Sequence, residues 1–211
     1  MADAASVTTF VMGTRLPWPD DSPVLDERGP FESGVIHDSG FRQECRIRKI
    51  SALGATIQTA VQQAPGERVT IELASGLRTS AKVEWATGGE TGLQFEKPVD
   101  VVALINRNLV SQPIDRRSMP RVEIRCEAFV KCGASFLAAT MRNISARGLQ
   151  LEADSLPASG SFVSVFVEGL NVPPGEVVWA RGSLAGIELF EDISWSSIMP
   201  WIRSQLRRSD T

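Results

Sequence analysis

The chain has 211 residues, 43% hydrophobic and 22% charged, with a formal net charge of −3. That composition is ordinary for a globular protein and supplies no global basic field for DNA or an acidic membrane, so any anion site must be local. Three cysteines, Cys45, Cys126 and Cys132, are too few and too irregular for a disulfide framework.

Cys126 and Cys132 lie six apart with no histidine nearby, which is poor zinc spacing, so no metal site is expected. No apolar run reaches the roughly 18 residues of a membrane span, so membrane insertion is not expected. Met1-Ala2-Asp3 opens no basic, then apolar, leader. The expected location is cytoplasmic.

Residues 1–30 carry Pro17, Pro19, Pro23 and Pro30 and read as an N-terminal extended arm, in which Val7–Met12 has the apolar character of an edge strand. A first module spans 31–110. Arg68–Leu73 alternates apolar and polar residues, as do Ala81–Trp85 and Gly92–Phe95, with Gly76, Gly88, Gly89 and Gly92 as turns. The period then changes: Val101, Val102, Ile105 and Leu109 predict a helix of about 98–110, with Pro98 in its first turn and Asp100 near its start. Gln112-Pro113 ends it, and residues 111–116 form a linker.

Strands are predicted at Val122–Lys131, Phe136–Asn143, Leu149–Ala153, Phe162–Glu168, Glu176–Ala180 and Gly186–Phe190. Asp192 or Ser194 opens a second helix with Ile198, Trp201, Ile202 and Leu206 on one face. Pro200 either sits in the first turn of a later-starting helix or kinks a longer one. Trp201 shares the apolar face, which favours packing over partner binding.

The chain repeats itself. Lys49-Ile50-Ser51-Ala52-Leu53-Gly54 aligns with Asn143-Ile144-Ser145-Ala146-Arg147-Gly148 at an offset of 94. The same offset pairs Gly66 with Gly160, Val83 with Val177, Trp85 with Trp179 and Gly92 with Gly186. One register held over about forty-five residues means two copies of one module. The fold class is therefore mainly β: two small six-stranded antiparallel barrels, each followed by a C-terminal helix, since closure removes exposed strand edges.

The copies differ in polar residues. The second is preceded by Arg116, Arg117 and Arg121, on a lead-in that Pro120 biases against helix. Guanidinium groups are permanently charged, pair bidentately with phosphate and stack on rings. Asn143 offers a donor and an acceptor, Ser145 a hydroxyl, and Gly148 a tight turn that admits a ligand closely. In the first copy Lys49 replaces the asparagine and can only donate. No Arg-x-x-x-Arg pair precedes that copy: Arg28 has no partner four residues on, and Arg42, Arg46 and Arg48 fall in the strand itself.

Arg117-x-x-x-Arg121, then Asn143-x-Ser145-x-x-Gly148, then Val177-x-Trp179 and Gly186-x-x-Leu189 resemble a PilZ domain over roughly 114–207. The resemblance implies a six-stranded barrel with a terminal helix over 117–207 and the ligand cyclic di-GMP. It implies that Arg117 and Arg121 hold phosphates and guanine Hoogsteen edges. Asn143 would bond a guanine edge and Ser145 a phosphate or guanine, while Gly148 leaves room for the base. Arg116 and Arg147 are adjacent donors. Residues 31–110 then read as a degenerate PilZ-like barrel.

The function expected is a non-enzymatic cyclic di-GMP receptor with no cofactor. Its lead-in is also the interdomain linker, so ligand binding would change the interdomain arrangement and signal to a downstream protein partner. The alternative is a PilZ-like adaptor that binds protein and no nucleotide. Nucleic acid is not an expected partner, and the sequence leaves monomer and homodimer both open. An enzyme lacks support: His37 is the sole histidine, in a strand-end context, and no P-loop exists.

Overall fold

In a computed structural model of the protein, residues 8–12, 16–17, 31–38, 40–61, 63–111 and 120–209 are described. The chain divides into two compact units, Asp3–Pro120 and Arg121–Thr211.

The first unit holds strands β1 (Thr9–Val11), β2 (Glu32–Asp38), β3 (Phe41–Ile50), β4 (Gly54–Thr59), β5 (Arg68–Leu73), β6 (Arg78–Thr87) and β7 (Glu90–Phe95), then helix α1 (Val101–Ser111). Antiparallel pairing runs β2–β3–β4–β7–β6–β5 and returns from β5 to β2, so six strands close on themselves. Alternation drives this: in β5, Val69, Ile71 and Leu73 point inward while Arg68 is exposed. Each of these six strands gives the interior at least one large apolar side chain at most 2% exposed, among them Ile36, Ile47, Ile57, Ile71, Val83 and Leu93. Burying each contributes about 1.5–3 kcal/mol.

Two details of this unit refine the sequence reading. The edge strand expected within Val7–Met12 is found as β1, and it pairs with β3 in parallel. Helix α1 begins at Val101, and the Asp100 carboxylate caps it by accepting from the Ala103 amide at 3.0 Å. Pro98 therefore precedes the helix and does not sit in its first turn.

The second unit repeats the plan with β8 (Arg121–Cys132), β9 (Ser135–Ser145), β10 (Gly148–Glu152), β11 (Phe162–Val167), β12 (Gly175–Arg181) and β13 (Leu184–Leu189), followed by α2 (Trp195–Ser209). Its antiparallel pairs run β8–β9–β10–β13–β12–β11 and return from β11 to β8. The interior residues Val130, Met141, Leu151, Val165, Val177 and Ile187 are each 3% exposed or less. All six stand at the offset of 94 from the six of the first unit.

The backbone bonds repeat at the same offset. Phe95 N–H donates to Leu53 O at 2.8 Å, and Leu189 N–H to Arg147 O at 2.9 Å. Val99 N–H donates to Ala52 O at 2.9 Å, and Ile193 N–H to Ala146 O at 2.8 Å. The Trp–Gly pairs have one cause. A Cβ on Gly92 would fall 2.1 Å from Trp85 Nε1, and one on Gly186 would fall 2.1 Å from Trp179 Nε1. Each indole occupies the space that a side chain at the facing strand residue would need.

Helix α2 is capped by Ser194, whose hydroxyl accepts from Ser196 N–H at 3.2 Å. It runs through Pro200, so of the two readings of that proline the longer helix is the one found. Trp201 is 4% exposed and donates its indole N–H to Glu168 O at 2.9 Å, and Arg208 pairs with Glu168 at 2.8 Å. Those contacts fix the helix to the β11–β12 loop.

Candidate ligand-binding face of the second barrel

The candidate residues converge where β9 turns into β10. Ile144, Ala146 and Leu149 point inward and are buried. Period-2 alternation then turns Asn143, Ser145 and Gln150 outward, all half-buried. Register gives two rows across the barrel wall. Glu123 of β8 faces Asn143, Asn143 faces Gln150, Gln150 faces Gly186 and Gly186 faces Trp179. In the neighbouring row Ser145 faces Gly148 and Gly148 faces Glu188. Val122 pairs with Ile144, which sets Arg121 one step further along the same ladder, beside Ser145.

Arg121, Asn143, Ser145 and Gly148 are thus brought together on three adjacent strands. Asn143 donates its amide N–H to Gln150 Oε1. Ser145 donates to Gly148 O at 3.3 Å. Arg147, in the turn, is exposed and pairs with Glu188 at 3.0 Å and Asp192 at 3.8 Å. A ligand phosphate would compete with both carboxylates for that guanidinium. Arg116 and Arg117 lie outside the described residues.

Gly148 has a reason the sequence did not show. A Cβ there would sit 2.5 Å from Ile187 O, against the backbone of β13. Gly54 meets the same obstacle, 2.2 Å from Leu93 O. This glycine is required by the close approach of two strands in both barrels, whatever it does for a ligand. Arg142 occupies a bulge between β9 and β10 and bonds Glu152 at 2.7 Å, which holds that carboxyl below the usual carboxylate range. Gln150, which the sequence reading does not single out, joins this surface through Asn143; its signal is a polar residue between the inward Leu149 and Leu151.

In the first barrel the matching serine is sealed. Ser51 is 0% exposed, and its hydroxyl accepts from Gly54 N–H at 3.1 Å and Leu53 N–H at 3.2 Å. It serves as a turn brace. Lys49 stands where Asn143 stands in the second barrel, and Thr56, 2% exposed, where Gln150 stands.

Other chemistry is sparse. His37 Nε2 lies 3.0 Å from Glu72 Oε2, a contact that holds the Glu72 carboxyl below its ordinary range, helped by Arg78. Burial pushes the Cys45 thiol up to about 12 and Cys126 up to about 11, so both are protonated at neutral pH. Among the described residues no group of three or more His, Cys, Asp or Glu side chains could hold a metal ion. No described helix is long and apolar enough to cross a membrane.

Three comparisons bear on this geometry. No curated protein matches the chain by sequence. Among solved structures the chain is similar to PlzA of Borreliella burgdorferi, determined in complex with c-di-GMP. Identity is 12% and the TM-score 0.33, over 81% of this chain and 86% of that one. It is also similar to the inhibitor of motility MotI/DgrA of Bacillus subtilis, at 16% identity and TM-score 0.30, over 83% and 97% of the two chains. YcgR of Escherichia coli, determined in complex with c-di-GMP, matches at 10% identity and TM-score 0.27, over 85% and 84%. The PilZ domain model matches twice, over residues 31–110 and 115–206. With both modules matched, the chain belongs to the PilZ domain family.

Proposed function

We propose that this chain is a cyclic di-GMP receptor that binds the dinucleotide at its second barrel. The observation that carries the reading is the polar cluster of Arg121, Ser145 and Asn143 in two neighbouring rows on adjacent strands, set against its sealed counterpart around Ser51. Arg117 and Arg121 would take phosphates and guanine edges, with Arg116 and Arg147 as adjacent donors. Asn143 would accept from and donate to a guanine edge, and Ser145 would add a hydroxyl.

The magnitudes suffice. Charge-assisted hydrogen bonds contribute about 1.5–3 kcal/mol each, and a guanidinium over a base about 0.5–2 kcal/mol. A few of these reach micromolar affinity, about −8 kcal/mol, after the cost of association. Because the Arg116–Arg121 lead-in follows directly on the 111–116 linker, holding it on the ligand would change how the barrels are arranged and so signal to a protein partner. The chain acts by binding and carries no cofactor.

The adaptor reading has one observation in its favour. Phe129, Phe136 and Phe166, each 45% exposed or more, cluster on the outer face of β8, β9 and β11, Phe129 stacked on Phe136 at 5.5 Å and Phe166 tilted against Phe136 at 5.6 Å between centroids. Calorimetric titration of the full chain with cyclic di-GMP separates the two. The receptor reading expects saturable heat with a micromolar or tighter Kd. Absence of binding, with the protein folded, favours the adaptor.

A further inference from the structure

The first barrel solves a problem that the second does not have. In the second, β8 is long enough to pair its Val122 and Glu123 with Ile144 and Asn143 of β9. In the first, β2 begins at Glu32, opposite Ile47, and stops short of Lys49 and Ile50. Unfilled, that gap would leave backbone donors and acceptors of β3 without partners beside an open core.

The N-terminal arm fills it. Thr9 pairs with Lys49 and Phe10 with Ile50, in parallel, where the second barrel has an antiparallel strand. Phe10 is 2% exposed and faces Ile50, as Val122 at 0% faces Ile144. The seam is closed by one hydroxyl: Thr8 Oγ1 donates to Ile47 O at 2.6 Å and accepts from Glu32 N–H at 2.7 Å. Further on, Pro17 O accepts from Thr56 Oγ1 at 3.2 Å, and Leu16 Cδ2 lies 3.0 Å from the Cβ position of Gly54. Leu16 and Pro17 therefore lie on the turn that corresponds to the ligand face of the second barrel. Thr56 and Ser51 are buried while Gln150 and Ser145 are half-buried.

We infer that the first barrel is a strand-binding module: the face that carries the proposed nucleotide set in the second barrel is, in the first, a groove for an extended peptide, and residues 8–12 with 16–17 of the chain are its resident ligand. The recognition mode is strand addition, with main-chain pairing for affinity, a Phe pocket over Ile50 and a threonine at the seam for register. This occupancy, and not Lys49 alone, keeps nucleotide off the first barrel. The inference stands apart from the nucleotide reading, because arm docking needs no cyclic di-GMP.

The test uses the full chain with a protease site inserted between Asp21 and Ser22. After cleavage the N-terminal fragment should co-elute with the remainder on gel filtration and exchange with a fluorescent synthetic peptide of residues 1–20. A Phe10→Asp peptide should bind about 100-fold more weakly, and a Thr8→Val peptide measurably more weakly. In the uncleaved chain, hydrogen exchange at residues 9–11 should be as slow as in Cys45–Ile50. Equal binding of the Phe10→Asp peptide, failure of the native peptide to exchange, unfolding of the first barrel when the fragment leaves, or free-peptide exchange rates at 9–11 would each overturn the inference.

Discussion

Asn143→Lys converts the second barrel to the residue that the first carries at Lys49, and its cost can be worked out. Asn143 is half-buried and donates to Gln150 Oε1. A lysine keeps a donor for that oxygen, and the first barrel folds with lysine at this place, so stability should change by less than about 1 kcal/mol. What disappears is the acceptor. A guanine N–H left unpaired in the bound state costs about 1–3 kcal/mol, and the new ammonium returns at most about 1 kcal/mol through the phosphates. The net expectation is roughly tenfold weaker cyclic di-GMP binding, read by calorimetry beside a urea unfolding control. Asn143→Asp keeps an acceptor and stays within the (D/N)xSxxG pattern, so it should stay within about threefold of wild type. Equal affinities for the lysine and aspartate variants would refute the acceptor argument.

Arg121→Ala and Arg117→Ala should each weaken cyclic di-GMP binding at least tenfold, by roughly 1.5–3 kcal/mol, while urea midpoints stay near wild type; wild-type affinity in both would remove the site assignment. Gly186→Ala must displace Trp179, and Gly92→Ala must displace Trp85, so each should cost about 1–3 kcal/mol in urea unfolding, with similar losses in the two barrels. An unchanged midpoint in either would show that the indole is not packed as described. The raised thiol of Cys45 gives a pH dependence. Unfolded, it ionises near 9.0; folded, it holds its proton to about 12. Stability should therefore be intact below about pH 9 and fall above it, as the unfolded state sheds the proton first. Cys126 acts in the same direction. A Cys45→Ala, Cys126→Ala double variant that kept the whole alkaline loss would refute this cause.

The repeat was the most legible feature, because both copies obey one set of packing constraints. The offset that matched Trp85 with Trp179 also matches six interior side chains and the backbone bonds around each turn. Period-2 alternation located strands such as β5, since one face of each is inside. It could not show that Phe162-Val163-Ser164-Val165-Phe166 carries its phenylalanines outward, because apolar residues on both faces erase the signal. Nor could it show that β1 pairs with the end of β3 beyond the reach of β2. Two parallel residue pairs across about forty positions leave no local trace, and their place depends on where β2 begins. Gly148 was legible as glycine but not in its cause, because the obstacle is Ile187 O, distant in sequence.

The most direct test of the central claim is hydrogen exchange on the full chain with and without cyclic di-GMP, because it reports which barrel responds. The account predicts that protection is gained at residues 112–121 and 143–148 and is unchanged at 49–54, where Ser51 is already sealed and Leu16 and Pro17 lie on the turn. Protection gained at 49–54 with none at 143–148 would contradict it.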